Sequence, residues 1–171
     1  ERSYPYGNTF AHVVGYDTNG KSGLESEANF QLLSSHEFFL NQIRNEFMGT
    51  KNTGDSVVST LSADLQTTAY NSLGDRRGAV VALEPSTGKI LAMVSKPDFD
   101  PNTISENWDS LVNDETNSSL LNRATMGQYP PGSTFKVVTA LDYFRTHGSF
   151  NGFSFDCQGS ITKEGHTIQC Y

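Results

Sequence analysis

Cysteine is scarce in this chain, tryptophan scarcer, and cationic side chains are outnumbered by acidic ones. Two cysteines, Cys157 and Cys170, are too few for a thiolate zinc site, and His166 beside them does not complete one. The 12 Lys and Arg stand against 19 Asp and Glu, for a net charge of −7, so no nucleic-acid partner is expected. No apolar run reaches the roughly 20 residues of a membrane helix, and no signal-peptide pattern opens the chain. Membrane contact by these residues is therefore not expected. Asp109, Asp114 and Glu115 lack the glycine and terminal glutamate of a calcium loop and read as a solvated stretch. His12 has no ligand partner at metal-site spacing and reads as a structural histidine. No metal or organic cofactor is implied.

What the chain does have is Tyr129-Pro130-Pro131-Gly132-Ser133-Thr134-Phe135-Lys136, followed by an apolar run. The prolines stiffen the approach, and a helical pattern begins at or near Ser133. Phe135, Val137, Val138, Ala140, Leu141, Tyr143 and Phe144 fall on all sides of that helix, which predicts an interior one. Arg145, His147 and Gly148 end it. Ser-x-x-Lys occurs at Ser86/Lys89, Ser133/Lys136 and Ser160/Lys163, but only Ser133 opens a helix. There the hydroxyl and the amine share one face. A capping box would place Glu or Gln where Lys136 stands, and the positive helix start disfavours a cation. Lysine at that position suits activation of a hydroxyl instead. A free lysine titrates near 10.4, so one that serves as a base near neutrality must give up about 4 kcal/mol of preference for its charged form. Burial and the helix N-terminus both act in that direction. The backbone N–H groups at the helix start can hold an oxyanion.

Along the rest of the chain, residues 1–25 read as extended chain and loops, and residues 27–48 as a helix carrying Leu33, Leu40, Ile43 and Phe47, stopped by Gly49. Lys51–Asp55 is the expected domain boundary. Val57–Leu61 reads as a short strand. Ser62 caps a helix with Leu65, Ala69 and Leu73 on one face and Gly74 at its end. Arg76 and Arg77 read as a solvated turn. Ala79–Leu83 and Ile90–Val94 form a hairpin, apolar enough to predict cover on both sheet faces. Residues 97–121 are a long polar connection with a short helix around Trp108–Leu111. Past Gly148 lie Phe150, Phe153 and Phe155 and a hairpin pattern between the two cysteines. Whether Cys157 and Cys170 pair depends on their Cα separation.

Asn122-Arg123-Ala124 followed by Tyr129–Lys136 resembles the active-serine region of the penicillin-binding proteins. Gly78–Ser95 is similar to the first hairpin of their transpeptidase domain, and Pro97-Asp98-Phe99-Asp100-Pro101-Asn102 fits behind it. Arg2-Ser3-Tyr4-Pro5-Tyr6-Gly7, Gly15 and Gly23-Leu24-Glu25 resemble the end of the pedestal in the class B, monofunctional members. The resemblance covers nearly the whole chain in family order.

It implies an α/β (α+β) transpeptidase fold, an antiparallel sheet covered by helices, here incomplete. Residues 1–54 would end the pedestal and residues 55–171 begin the penicillin-binding domain. It implies a peptidoglycan D,D-transpeptidase in which Ser133 is the nucleophile and Lys136 the general base. The substrate would be a D-Ala-D-Ala stem peptide, β-lactams would acylate the same serine, and other cell-wall synthesis proteins would be partners. The protein would work outside the cytoplasm on a membrane anchor not contained in this chain. The family has a Ser-x-Asn and a Lys-Thr-Gly motif beyond the active serine, and the chain is read as carrying neither. It is thus expected to be a fragment inactive alone: the carboxylate-binding strand is missing, and with it an oxyanion donor contributing about 2.7–4 kcal/mol. A D,D-carboxypeptidase or β-lactamase-like hydrolase and a non-catalytic β-lactam sensor or scaffold are the alternatives.

Overall fold

A computed structural model describes residues 2–36, 38–51 and 54–169. The chain divides into two compact units, Glu1–Gln128 and Tyr129–Tyr171.

In the first unit a 3-10 turn (Gly7–Phe10) runs into α1 (Ala11–Val14), and two further short helices follow, α2 (Gly23–Glu27) and α3 (Asn29–Leu33). Residues 1–25, expected as extended chain, are therefore partly helical. Gly15 and Gly23 let these short pieces touch. A Cβ on Gly15 would lie 1.9 Å from the Ser22 carbonyl oxygen, and one on Gly23 would lie 2.5 Å from that of Val13. The single helix expected over 27–48 is interrupted: the chain leaves helical geometry at Ser34 (ψ 147°) and resumes in α4 (Phe39–Met48), which ends on left-handed Gly49. Consecutive serines in the gap compete for backbone hydrogen bonds and favour such a break.

Val57–Leu61 is not a strand. It runs beside the hairpin and is held by Thr60 Oγ1 donating to Ile90 O at 2.6 Å and Ser62 N to Leu91 O at 2.9 Å. α5 (Ala63–Leu73) follows as expected, with Ser62 Oγ accepting from Leu65 N. β1 (Gly78–Glu84) and β2 (Lys89–Lys96) pair antiparallel, Val80 opposite Val94 and Ala82 opposite Ala92, with an irregularity after Ala82. α5 covers that face, where Ala69, Ala92 and Val94 are buried with Tyr70, Leu73, Val80 and Ala82 against them. The other face of β1 is not covered: Val81 and Leu83 are exposed. An apolar run fixes which residues form a strand, whereas cover on each face depends on what packs there.

A second core joins distant segments. Ala11, Phe99 and Ile104 are buried together, with Tyr16, Trp108, Leu111 and Leu120 packed on them. α6 (Ile104–Val112) supplies Trp108, whose ring meets Tyr16 edge-on at 5.7 Å. Polar bonds reinforce the junction. Tyr4 N donates to Asn102 Oδ1 at 2.9 Å, Asn102 Nδ2 returns a bond to Tyr4 O at 3.0 Å, and Asn8 Nδ2 donates to Asp98 Oδ1 at 2.9 Å. Buried Gln66 on α5 donates to Thr9 O and Met93 O and accepts from Met93 N, all at 2.8 Å.

The second unit contains a 3-10 turn (Gly132–Thr134), α7 (Phe135–His147) and a hairpin of β3 (Ser160–Lys163) and β4 (His166–Gln169). Aromatic rings hold the end of α7: Tyr143 stacks on His147 at 4.1 Å and meets Phe153 edge-on at 5.1 Å. Among the described residues, no helix is long and apolar enough to cross a membrane.

Candidate active site

Of the three Ser-x-x-Lys pairs, Ser86 and Lys89 bracket the β1–β2 turn, and Ser160 and Lys163 are the two ends of β3. Only Ser133 stands at a helix start, inside the 3-10 turn, with Lys136 one residue into α7. Gly132 takes φ +55°, which a side chain would resist, and sets the entry into the turn. Thr134, not Ser133, closes it by donating N and Oγ1 to Pro131 O at 3.2 and 2.5 Å. Ser133 has no part in capping the helix, since no side chain caps α7.

The interior helix expected from the sequence is corrected here. Ser133 and Lys136 are exposed, as are Phe135, Val137, Val138, Leu141 and Phe144. Apolar residues on every side call for cover on every side, and among the described residues the rings of Phe150 and Phe153 pack on Tyr143 near the C-terminal end of α7.

Upstream of this stretch, the first unit holds a loop that the sequence marked only as a motif. Ser95 on β2 is buried; its Oγ accepts from Arg123 N at 2.9 Å and donates to Leu121 O at 3.1 Å. Arg123 is 5% exposed, and its guanidinium bonds Asn117 O at 2.5 Å and Ser118 O at 3.2 Å. Asn122 Nδ2 donates to His12 O at 3.2 Å while its Oδ1 accepts from Ala124 N at 3.0 Å. His12, read as structural, is buried, bonds Pro97 O through Nε2 at 3.3 Å and meets the Phe99 ring edge-on. Burial pushes its imidazole below the ordinary value, only partly opposed by the Pro97 bond and by Asp98. A cavity of about 560 Å³ lies beside this loop, lined by His12, Leu24, Leu61, Ile90, Met93 and Asn122 among others.

Other residues singled out in the sequence have local roles. Arg77 bonds the carbonyl of Thr116. Asp114 accepts from Asn117 N and Nδ2, and those bonds hold its carboxyl below the usual range. Cys157 is exposed; Cys170, and with it the possible disulfide, lies outside the described residues. As a bare pattern Ser-x-Asn does occur, at Ser105–Asn107 and Ser149–Asn151. Both are accounted for locally: Asn107 Nδ2 bonds Thr103 O on α6, and Ser149 Oγ accepts from Asn151 N in the turn after α7. Lys-Thr-Gly is absent from the 171 residues.

Residues 78–171 match the family described as penicillin binding protein transpeptidase domain, and residues 1–57 the penicillin binding protein A dimerisation domain. The peptidoglycan D,D-transpeptidase PbpA of Mycolicibacterium smegmatis is 42% identical over 154 residues, covering 81% of this chain and 31% of that protein. The peptidoglycan D,D-transpeptidase MrdA of Acinetobacter baumannii is 34% identical over 171 residues, covering 82% of this chain and 25% of that protein. Among solved structures, the penicillin G acyl-enzyme complex of penicillin-binding protein A from M. tuberculosis matches with a TM-score of 0.83 at 32% identity. That match covers 99% of this chain and 43% of the other. The D,D-transpeptidase domain from Eggerthella lenta matches with a TM-score of 0.81 at 30% identity, covering 99% of this chain and 37% of the other. The mix of helices and antiparallel hairpins is the fold of those neighbours. The chain spans between a quarter and a third of the length of these two curated relatives.

Proposed function

The chain belongs to the penicillin-binding protein transpeptidase family, and from that premise we propose that the whole protein is a class B peptidoglycan D,D-transpeptidase with Ser133 as its nucleophile. Residues 1–54 end its pedestal, and residues 55–171 open its catalytic domain. Ser133 Oγ attacks the carbonyl between the two D-Ala residues of a stem peptide, and Lys136 Nζ takes the hydroxyl proton. Backbone N–H groups at the turn, that of Ser133 among them, stabilise the oxyanion. The C–N bond then breaks, the proton passes to the leaving D-Ala amine, and the acyl group stays on Ser133 as an ester. An amine of a neighbouring strand attacks that ester, forms the cross-link and returns the serine. A β-lactam enters the first half of this sequence and stops at the ester.

The observation that carries the reading is that one serine–lysine pair of three heads a helix, within the stretch matched to the transpeptidase family. Its place of work is outside the cytoplasm, on a membrane anchor, among other cell-wall synthesis proteins.

Incubation of the whole protein with a labelled penicillin is the test. Ser133→Ala removes the label entirely, and Lys136→Ala slows labelling by about 10²–10⁴-fold. With a D-Ala-D-Ala peptide and an amine acceptor, the cross-linked product forms. Water alone as acceptor would make the protein a carboxypeptidase, and labelling without any peptide turnover would make it a sensor. Label on the Ser133→Ala variant sinks the assignment.

A further inference from the structure

α4 carries its amphipathic pattern the wrong way round. Phe39, Leu40, Ile43 and Phe47 fall within one sector about 100° wide, the stripe by which a surface helix ordinarily meets a core. The helix meets its own unit through the other side. Gln42 and Asn45 are half-buried, and Gln42 Nε2 donates to Ser35 O at 3.4 Å. Phe39, Leu40 and Phe47 are exposed, Phe47 to 90%. This orientation is held at the base of the excursion that carries α4. Asp55 N donates to Ser34 O at 2.9 Å and to Gln31 O at 3.2 Å, and the Asp55 carboxylate accepts from His36 N at 3.0 Å and pairs with the His36 ring. Gly54 fits there because it has no side chain: a Cβ would lie 1.9 Å from Leu32 O.

The size and charge of the stripe point to what covers it. A helix of 10 residues is about 15 Å long, so one face of it is a strip of roughly 15 by 10 Å. A stable protein interface takes about 800 Å² from each partner, several times what that strip offers. A bilayer surface sets no such minimum, and Phe and Leu are the side chains that interfacial helices lay into it. Arg44 and Glu46 cancel on α4, and the chain carries a net charge of −7, so anionic headgroups add no attraction. We propose that the Phe39–Phe47 stripe of α4 lies in the surface of a zwitterionic phospholipid bilayer, resting on the membrane without crossing it. The expectation that these residues make no membrane contact rested on the lack of a spanning run, which excludes crossing a bilayer and not lying on one. One such contact is weak and reversible, and it holds when a second anchor acts beside it. The inference does not depend on the reading of Ser133.

The whole protein is incorporated into phosphatidylcholine vesicles with and without brominated acyl chains, which quench tryptophan on contact. We expect the emission added by Phe47→Trp to be largely lost to bromine and that added by Asn41→Trp, an exposed position off the stripe, to persist. Salt should leave both unchanged. If Phe47→Trp does not fold, Leu40→Trp carries the same expectation. A second variant, Phe39→Ser with Phe47→Ser, should keep the unfolding midpoint and the oligomeric state of the wild type after solubilisation. Quenching of neither tryptophan, equal quenching of both, or quenching only with anionic lipid overturns the proposal. A lowered midpoint would assign the stripe to another part of the same protein, and loss of a dimer would assign it to a second copy; either result overturns the proposal as well.

Discussion

Gln66 shows what a single buried polar side chain can hold together. It has no exposed surface, and its amide bonds join α5 to β2 and to the turn that begins the chain. Gln66→Leu keeps much of the volume but leaves two carbonyls and one N–H without partners, which should cost about 3 kcal/mol in urea unfolding. A loss under about 1 kcal/mol would mean that water takes over those bonds. His12 adds a pH dependence. Its folded value lies below the ordinary one of about 6.5, because burial disfavours the charged ring. Below pH 6.5 the unfolded chain therefore takes up a proton that the folded chain refuses. The His12 contribution is full above pH 6.5 and is lost as the pH falls towards the folded value, with a slope of at most about 1.4 kcal/mol per pH unit. His12→Gln, which can still donate to Pro97 O, should flatten that slope between pH 7.5 and 5.5; an unchanged slope would assign the effect elsewhere. His12 was legible as structural because it lacked ligand partners. Gln66 was not legible, since nothing in its neighbours along the chain marks a polar residue whose partners are Thr9 and Met93.

Among elements, those with local signals were readable and those defined by distant cover were not. α5 carries its cap, its apolar face and its stop within 13 residues, from Ser62 to Gly74, and it forms as read. Ser62→Ala should lower stability by about 1 kcal/mol through the lost bond to Leu65 N, measurable as a shift in the denaturant midpoint at constant m-value. Recovery with Ser62→Asp, which caps equally well, would tie the loss to the cap itself. The β1–β2 hairpin was likewise legible from its apolar runs and its turn, although its uncovered face was not. The helix expected over 27–48 failed at Ser34 and Ser35, where short polar side chains outweighed an apolar period that continues on either side. For the candidate site the division is similar. The serine–lysine spacing and the helix start could be read directly, but the anchoring of the loop before them rests on Ser95 and a backbone carbonyl at position 12, which no spacing rule connects.

In the whole molecule, the two family matches do not correspond to two separately packed bodies. Residue 11, within the stretch matched to the dimerisation domain, is buried with Phe99 and Ile104, within the stretch matched to the transpeptidase domain. The same junction carries Tyr4–Asn102, Asn8–Asp98 and His12–Pro97, so it is both packed and hydrogen-bonded. The transpeptidase part thus uses the N-terminal segment as one wall of its core. Trp108, the single tryptophan, reports on that wall because Tyr16 rests against it. Removing residues 1–16 should uncover Phe99, at a cost of about 2 kcal/mol for that side chain alone, and leave the four hydrogen bonds of those three pairs unmade. Trp108 emission should shift to the red and the unfolding midpoint should fall, with more surface exposed before the main transition. Emission and midpoint both unchanged would mean that the catalytic part closes its own core, and that the N-terminal segment only lies on it.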